Sequence, residues 1–389
     1  MNPGADEPRA RGARDAPGTA PGPVPSPRRS DQDGTAARRP AGTPAAGAHA
    51  RRHRLPSVTA LVLVGALCAV GLAFLAARFA GMVRVFSAEA VTALVLALAT
   101  LAFGFWVLCR IRPVRDPAAG PSLTALAWGL AAATAAGVVA NEGLLSVWAK
   151  SLGLDFAGSW GPALTAPLNE EVLKLAGVVL VAVAFPHALR GPVDGFVFGS
   201  LTGLGFEVTE NFIYAMNAVV QAGGTSGVVA VVQSTIVRVF LAGLGSHWAM
   251  SAVAGAAVGL LAAAGWRPGR RRAAGAGLLV GLAVALHWLV DAPAPGGMGG
   301  LLSKVAVVFL TTMVVYFAFR RTYRRRVRGA LASEGGTLGM RRSEATALAT
   351  RHGRRRELVR VAAPQRPAAL RRQEQMLAVA EDRAARYAP

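Results

Sequence analysis

The sequence predicts an all-α fold, a polytopic transmembrane helical bundle of about eight spans with disordered basic termini. Three observations predict it. Hydrophobic residues make up 53% of the 389 and mean hydropathy is +0.41, yet the formal net charge is +21 and the pI is about 11.6. The two kinds of residue occupy different stretches. Residues 1–55 carry ten Arg and no apolar run, residues 320–389 carry eighteen Arg against six acids, and 14 basic residues remain for 56–319. Within that middle stretch, apolar runs recur at the roughly 20-residue length that a spanning helix needs. This division excludes a plain soluble enzyme. It also argues against a nucleic-acid partner, whose binder would carry its basic residues on a folded domain without membrane-length apolar runs.

The chain divides accordingly into 1–55, 56–320 and 321–389. The first segment (PGTAPGPVPSP and its surroundings) lacks the apolar content to build a core and is expected to be a disordered cytoplasmic tail. No signal peptide is apparent, because 55 polar residues precede the first apolar run. The middle segment supplies the spans 57–80, 86–109, 122–146, 168–189, 193–218, 244–264, 273–291 and 301–319. A ninth apolar stretch, 226–242, is harder to place. Basic residues gather on the cytoplasmic side of a membrane. Arg51, Arg52 and Arg54 therefore put the N-terminus inside, and alternation keeps Arg110, Arg112, Arg115 and Arg190 there. If 226–242 spanned, Arg267, Arg270, Arg271, Arg272 and the whole Arg-rich tail would lie outside. A re-entrant or interfacial 226–242 is expected instead, with both termini cytoplasmic in a multi-pass plasma-membrane protein. Residues 321–389 read as a basic cytoplasmic tail with a short helix near 365–388, solvated or resting on anionic lipid. Membrane lipids are thus expected partners. Cys68 and Cys109 lie in or at the end of apolar stretches, with no spacing that suggests a metal site or disulfide.

Ionisable residues inside spans cost roughly 2.5–3.5 kcal/mol each on insertion scales, so they mark sites or pathways. Span four opens with Asn169-Glu170-Glu171-Val172-Leu173-Lys174. Span five holds Glu207, Glu210 and Asn211. Arg238 and His247 precede and begin span six, and His287 and Asp291 end span seven. With the orientation above, all four groups fall in the outer half of the membrane; Glu210, for example, lies about 24 Å along its helix from Asp194. Glu170 and Glu171 stand at i,i+4 and i,i+3 to Lys174, so one lysine can pair with either. Asp291 is placed at i,i+4 to orient His287. Gly195, Gly199 and Gly203 form a small-residue ridge of the kind that brings transmembrane helices close, and it delivers Glu207 and Glu210 to a helix interface.

Two chemistries suit such a layer. Imidazoles and carboxylates can hold Zn²⁺ and an activated water, with Glu170, Glu210, His247 and His287 as ligands. Without metal, a buried carboxylate can act as general base on water while imidazoles stabilise the oxyanion. Either is hydrolysis. Taken singly, Glu170–Lys174 fits an ordinary helix-start ion pair and His247 an interfacial histidine; the joint pattern carries the argument. Two non-hydrolytic readings compete. A proton-coupled transporter would show inverted repeats and midplane sites, and no repeat is seen. A non-catalytic scaffold would act through its Arg-rich tails.

At these residues the sequence resembles a family. PLNEEVLK at 167–174 resembles the EExxK motif of the PrsW-type intramembrane proteases, and DGFVFGSLTGLGFEVTENFIY at 194–214 looks like that family's second motif. Arg238 with His247, and HWLVD at 287–291, resemble its histidine motifs, so that the motif core covers roughly 160–291. The wider CAAX-protease and bacteriocin-processing superfamily has paired acids, FxxxH and HxxxN/D. Glu170 and Glu171 match the first, Phe206xxxGlu210 the second with Glu for His, and His287xxxAsp291 the third. The resemblance implies a membrane-embedded peptidase cutting a transmembrane protein substrate, such as an anti-sigma factor, on the outer side. The expected catalytic residues are Glu170, Glu171, Glu210, His247 and His287, supported by Lys174, Glu207, Asn211, Arg238 and Asp291.

Overall fold

A computed structural model describes the backbone of residues 44–386 and the side chains of 56–385. Disorder is expected over 1–55; residues 1–43 of that segment lie outside the described residues, and 44–55, against the expectation, are helical. In chain order the helices are α1 (Pro44–Val85), α2 (Ser87–Arg110), α3 (Ala119–Ala127), α4 (Thr134–Leu152), α5 (Leu154–Ser159), α6 (Gly161–Ala184) and α7 (Pro192–Gln221). There follow α8 (Gly227–Thr235), α9 (His247–Ala262), α10 (Arg270–Asp291), α11 (Gly297–Thr337), α12 (Arg342–Ala347), α13 (Arg351–Val359) and α14 (Arg366–Arg386). Two π-helical turns, Trp128–Ala133 and Ile236–Leu241, continue α3 into α4 and extend α8. No strand occurs among the described residues.

Six of these helices are long and apolar enough to cross a membrane: Pro56–Val85, α2, Ala119–Leu152, Gly243–Ala262, α10 and α11. The other two expected spans, α6 and α7, have 24 and 30 residues. They have the length, and what sets them apart from the six is the charged residues they carry, Glu170, Glu171 and Lys174 in α6 and Asp194, Glu207 and Glu210 in α7. Residues 227–241 form an apolar helix of fewer than 18 residues, too short for the roughly 20 that a span needs. This agrees with the expected non-spanning segment.

Helix α7 is the axis of the bundle. It packs antiparallel on α9 because glycine meets glycine. A Cβ at Gly195, Gly199 or Gly203 would overlap the carbonyl oxygens of Gly255, Ser251 and His247 respectively, and Gly255 and Gly259 are equally tight against Gly195 and Gly191. On its other flank, Gly205 lies against the Leu126 backbone and Gly129 against that of Thr202. The π-helical turn at 128–133 is tied into this contact: Thr209 Oγ1 donates to the Leu130 carbonyl (2.8 Å) and Thr134 Oγ1 to that of Gly129 (2.8 Å). Trp128 fills the space beside Gly177 and donates from Nε1 to the Leu173 carbonyl, which pins α6 to the same turn.

The arginine clusters collect at one end of this bundle. Arg112, Arg190, Arg272 and Arg326, from four different segments, line a single cavity there.

The expected helix near 365–388 is present as α14, but the expectation that the C-terminal segment is a disordered or solvated tail is corrected. α11 runs on to Thr337, and α12, α13 and α14 fold back on its last turns. Val327, Ala330, Leu331, Leu348, Met376, Leu377 and Ala380 bury a core that includes Val114 of the α2–α3 loop. The Arg count concealed this, because the apolar positions of α14 recur at helical spacing on one face while its arginines occupy the other. Glu381 anchors the cap: it accepts from Arg112 Nη1 (2.9 Å), Arg115 Nε (2.8 Å) and the Tyr323 hydroxyl (2.5 Å). Arg112 in turn donates to Asp194 in the first turn of α7 (2.8 Å).

Candidate active site

Five elements converge on one buried cluster, in the half of the bundle away from the arginine end. α6 supplies Glu170, Glu171 and Lys174, α7 supplies Glu207, Glu210 and Asn211, and the π-helical turn after α8 supplies Arg238. His247 is the first residue of α9, and α10 ends with His287 and Asp291. All of the expected site residues come together here. Most of them line a cavity of about 480 Å³; Glu171 and Lys174 lie behind its wall, fully buried.

Lys174 organises the acids. Its ammonium lies 2.7 Å from Glu171 Oε1, 2.9 Å from His247 Nδ1 and 3.6 Å from Glu170 Oε2, and 4.5 Å above the Phe206 ring. An ammonium only donates, so His247 Nδ1 accepts and carries no proton. The proton of His247 is then on Nε2, which donates to Glu210 Oε2 (2.9 Å). His287 Nδ1 donates in the same way to Glu171 Oε1 (3.0 Å). Each imidazole is thus fixed by a carboxylate behind it and presents its other nitrogen, Nδ1 of His247 or Nε2 of His287, toward Glu170.

Glu170 is held differently. Its Oε1 accepts from Asn141 Nδ2 (2.8 Å), while the buried Oε2 has no hydrogen-bond partner. That oxygen is 3.8 Å from His247 Nδ1 and 3.7 Å from His287 Nε2. The three ligand atoms all lie within 4.8 Å of one another. One carboxylate oxygen and two imidazole nitrogens form a donor set that Zn²⁺ accepts, with room for a fourth ligand. A buried carboxylate oxygen that accepts no hydrogen bond and faces two imidazole nitrogens is what a cation would relieve. The residues therefore fit a metal.

The remaining residues brace this core. Arg238 donates to Glu210 Oε2 and Asn211 Oδ1, both at 2.5 Å, and stacks 3.9 Å from the Tyr214 ring. Ser246 Oγ donates to Glu207 Oε2 (2.6 Å), which fixes the residue before His247. Asp291 Oδ2 is 3.5 Å from His287 Nε2, as the i,i+4 spacing suggests. Glu210, expected among the ligands, stands behind His247 and lies outside the group of three.

A model of the PrsW family intramembrane metalloproteases matches residues 120–319, just over half of the chain. The chain belongs to this family. It is therefore a multi-pass membrane protease, and the elements that build the PrsW-family site, from the π-helical turn after α3 to the first half of α11, fall inside the match. No curated protein and no solved structure matches the chain.

Sequence reasoning missed Asn141, Ser246 and Ser251, the last of which donates to Glu171 Oε2 (3.3 Å). Asn141 sits inside an expected span, where an amide costs little and gains meaning only from the Glu170 carboxylate it meets. Lys304 also escaped notice. It is buried on α11, lines the cavity and donates to the Ala292 carbonyl at the end of α10 (2.5 Å). A lysine there satisfies carbonyls that the helix end leaves open.

Proposed function

We propose that this protein is an intramembrane endopeptidase that hydrolyses a peptide bond of a membrane-bound protein near the outer face of the plasma membrane. The observation that carries the reading is the buried Glu170 Oε2, which accepts no hydrogen bond and faces two imidazole nitrogens whose opposite nitrogens are each held by a carboxylate. Glu170 Oε2, His247 Nδ1 and His287 Nε2 are the atoms that would hold Zn²⁺. Such an ion, when bound, polarises the scissile carbonyl and makes a water nucleophilic at neutral pH.

The chain's own groups do the rest. Glu210 and Glu171 keep both imidazoles in the tautomer that leaves a lone pair facing inward, and such outer partners raise a ligand's basicity. Lys174 balances the charge of the paired acids. Asn141 aims Glu170. Asp291, bordering the cavity and bonded to no cation, is the carboxylate placed to accept a proton released at the centre. The outer-face placement rests on the arginine clusters at the opposite end, which the positive-inside rule puts in the cytoplasm with both termini. An anti-sigma factor is a suitable substrate by the family resemblance.

One observation favours the metal-free alternative. Lys174 Nζ bonds to His247 Nδ1, the nitrogen that an ion needs. In that reading Glu170 is the general base, and the imidazoles can stabilise an oxyanion only when protonated on their inward nitrogens. Metal analysis of the purified protein separates the two. Glu170→Gln, His247→Ala and His287→Ala should each abolish cleavage of a membrane substrate while the protein stays inserted, and should lower bound zinc. Full activity in all three variants would overturn the hydrolase assignment of this site. Lost activity with no zinc in the parent protein would leave Glu170 as base.

A further inference from the structure

A second cavity, of about 180 Å³, lies at the arginine end between the membrane helices and the C-terminal cap. Four guanidinium groups border it, those of Arg112, Arg190, Arg272 and Arg326, against two carboxylates, Asp194 and Glu381. Just outside, Arg115 and Asp382 add one charge of each sign. Both bordering carboxylates are already engaged. Asp194 takes Arg112 Nε and the Arg190 backbone N–H, while Glu381 takes Arg112, Arg115 and the Tyr323 hydroxyl. Arg272 of α10 and Arg326 of α11 are half-buried and have no acidic partner among the described residues. Arg190 Nε is buried without an acceptor.

Guanidinium groups left unpaired beside one another in a partly desolvated pocket repel, and an anion relieves them. Geometry narrows the class. Guanidinium forks match phosphate oxygens in bidentate fashion. The first turn of α7, Pro192 to Asp194, brings the positive end of a 30-residue helix to the wall of the same cavity. The cavity of about 180 Å³ has room for a phosphate group. The pocket lies where arginines from four segments gather, the level of a membrane surface, and basic pockets between transmembrane helices bind anionic headgroups. We infer that this cavity is a binding site for a phosphate-bearing anion, with Arg272 and Arg326 as its open ligands, bridging the membrane helices to the cap. The source is a phospholipid headgroup or a free phosphate.

The test uses the full-length protein reconstituted in phosphatidylcholine discs with and without phosphatidylglycerol, then extracted and examined by native mass spectrometry. The parent protein should retain phosphatidylglycerol. The Arg272→Ala/Arg326→Ala variant should retain about tenfold less or lower still, while the exposed pair Arg270→Ala/Arg271→Ala should match the parent. In detergent without phosphate, the pocket variant should melt no lower than the parent, since it loses a repulsion. If it fails to fold, Arg326→Gln alone replaces it. A melting rise with sodium phosphate over chloride of equal ionic strength, absent in the pocket variant, would assign the site to free phosphate. Equal lipid retention in all three proteins, with no phosphate-specific rise, overturns the site.

Discussion

Glu170 Oε2 is the one carboxylate oxygen among the described side chains that is buried with no hydrogen-bond partner, and the roles of its neighbours follow from it. The superfamily pattern has a histidine where this chain has Glu210. The structure gives that glutamate a task that a carboxylate does well: accepting the Nε2 proton of His247 while Arg238 balances its charge. Glu210 is then an orienting group, and its loss should differ from that of a ligand. Outer partners of ligating histidines typically contribute about 10–100-fold in metal affinity or activity. Glu210→Gln should therefore keep measurable cleavage, reduced by about that factor, where Glu170→Gln keeps none. Kinetics on a reconstituted transmembrane substrate decide it. Complete loss in Glu210→Gln, with metal binding gone, would return Glu210 to the ligands. Asn141→Ala belongs with Glu210→Gln, since it frees Glu170 to turn away from the imidazoles; a similar fall is expected.

At the scale of helices, the site exists because α7 and α9 touch backbone to backbone. A methyl at Gly199 would overlap the Ser251 carbonyl, and overpacking of this kind costs roughly 1–3 kcal/mol. The damage should also be directional, because parting α7 from α9 carries His247 away from Glu210. Gly199→Ala is expected to lower both the melting temperature and activity. Gly281→Ala on α10, where a methyl meets nothing within 4 Å, should change neither. Equal behaviour of the two variants would show that the close approach is dispensable. The ridge of Gly195, Gly199 and Gly203 was legible in the sequence because its four-residue spacing is a local property of one helix. So were Glu170, Glu171 and Lys174, whose i,i+3 and i,i+4 spacings the structure converts into ion pairs. Asn141, Ser246 and Ser251 were not, because hydroxyls and amides are cheap in a span and gain meaning only from the acid opposite. The π-helical turns at 128–133 and 236–241 were equally hidden: the widened turn at 128–133 is tied down by bonds to α6 and α7, and its own composition, WGLAAA, reads as ordinary helix.

For the whole molecule, the C-terminal segment matters most, since it turns a bundle with a basic tail into a bundle with a docked cap. A single buried carboxylate links the two. Burial alone would push the Glu381 carboxyl up, but the guanidiniums of Arg112 and Arg115 and the Tyr323 hydroxyl outweigh it and hold it below the usual glutamate range. Arg112 is the common partner: it reaches Glu381 on α14 and Asp194 at the start of α7, the helix that carries Glu207 and Glu210. The sign of the pH dependence follows. A group whose folded pKa is depressed adds stability that is full above its unfolded value, near 4.3 for Glu, and is lost as the pH falls through the folded value. The cap should therefore stay docked at neutral pH and loosen on acidification below about pH 4, read as rising deuterium uptake in α14 in detergent-solubilised protein. Removing one partner of a buried pair costs about 3–5 kcal/mol, so Glu381→Gln should show raised uptake in α14 already at neutral pH and little further change on acidification. If α14 of the parent protein is equally protected at neutral pH and at pH 3, with Glu381→Gln indistinguishable from it, then the apolar core of Leu331, Leu348 and Leu377 holds the cap alone and the Arg112–Glu381 pair is a bystander.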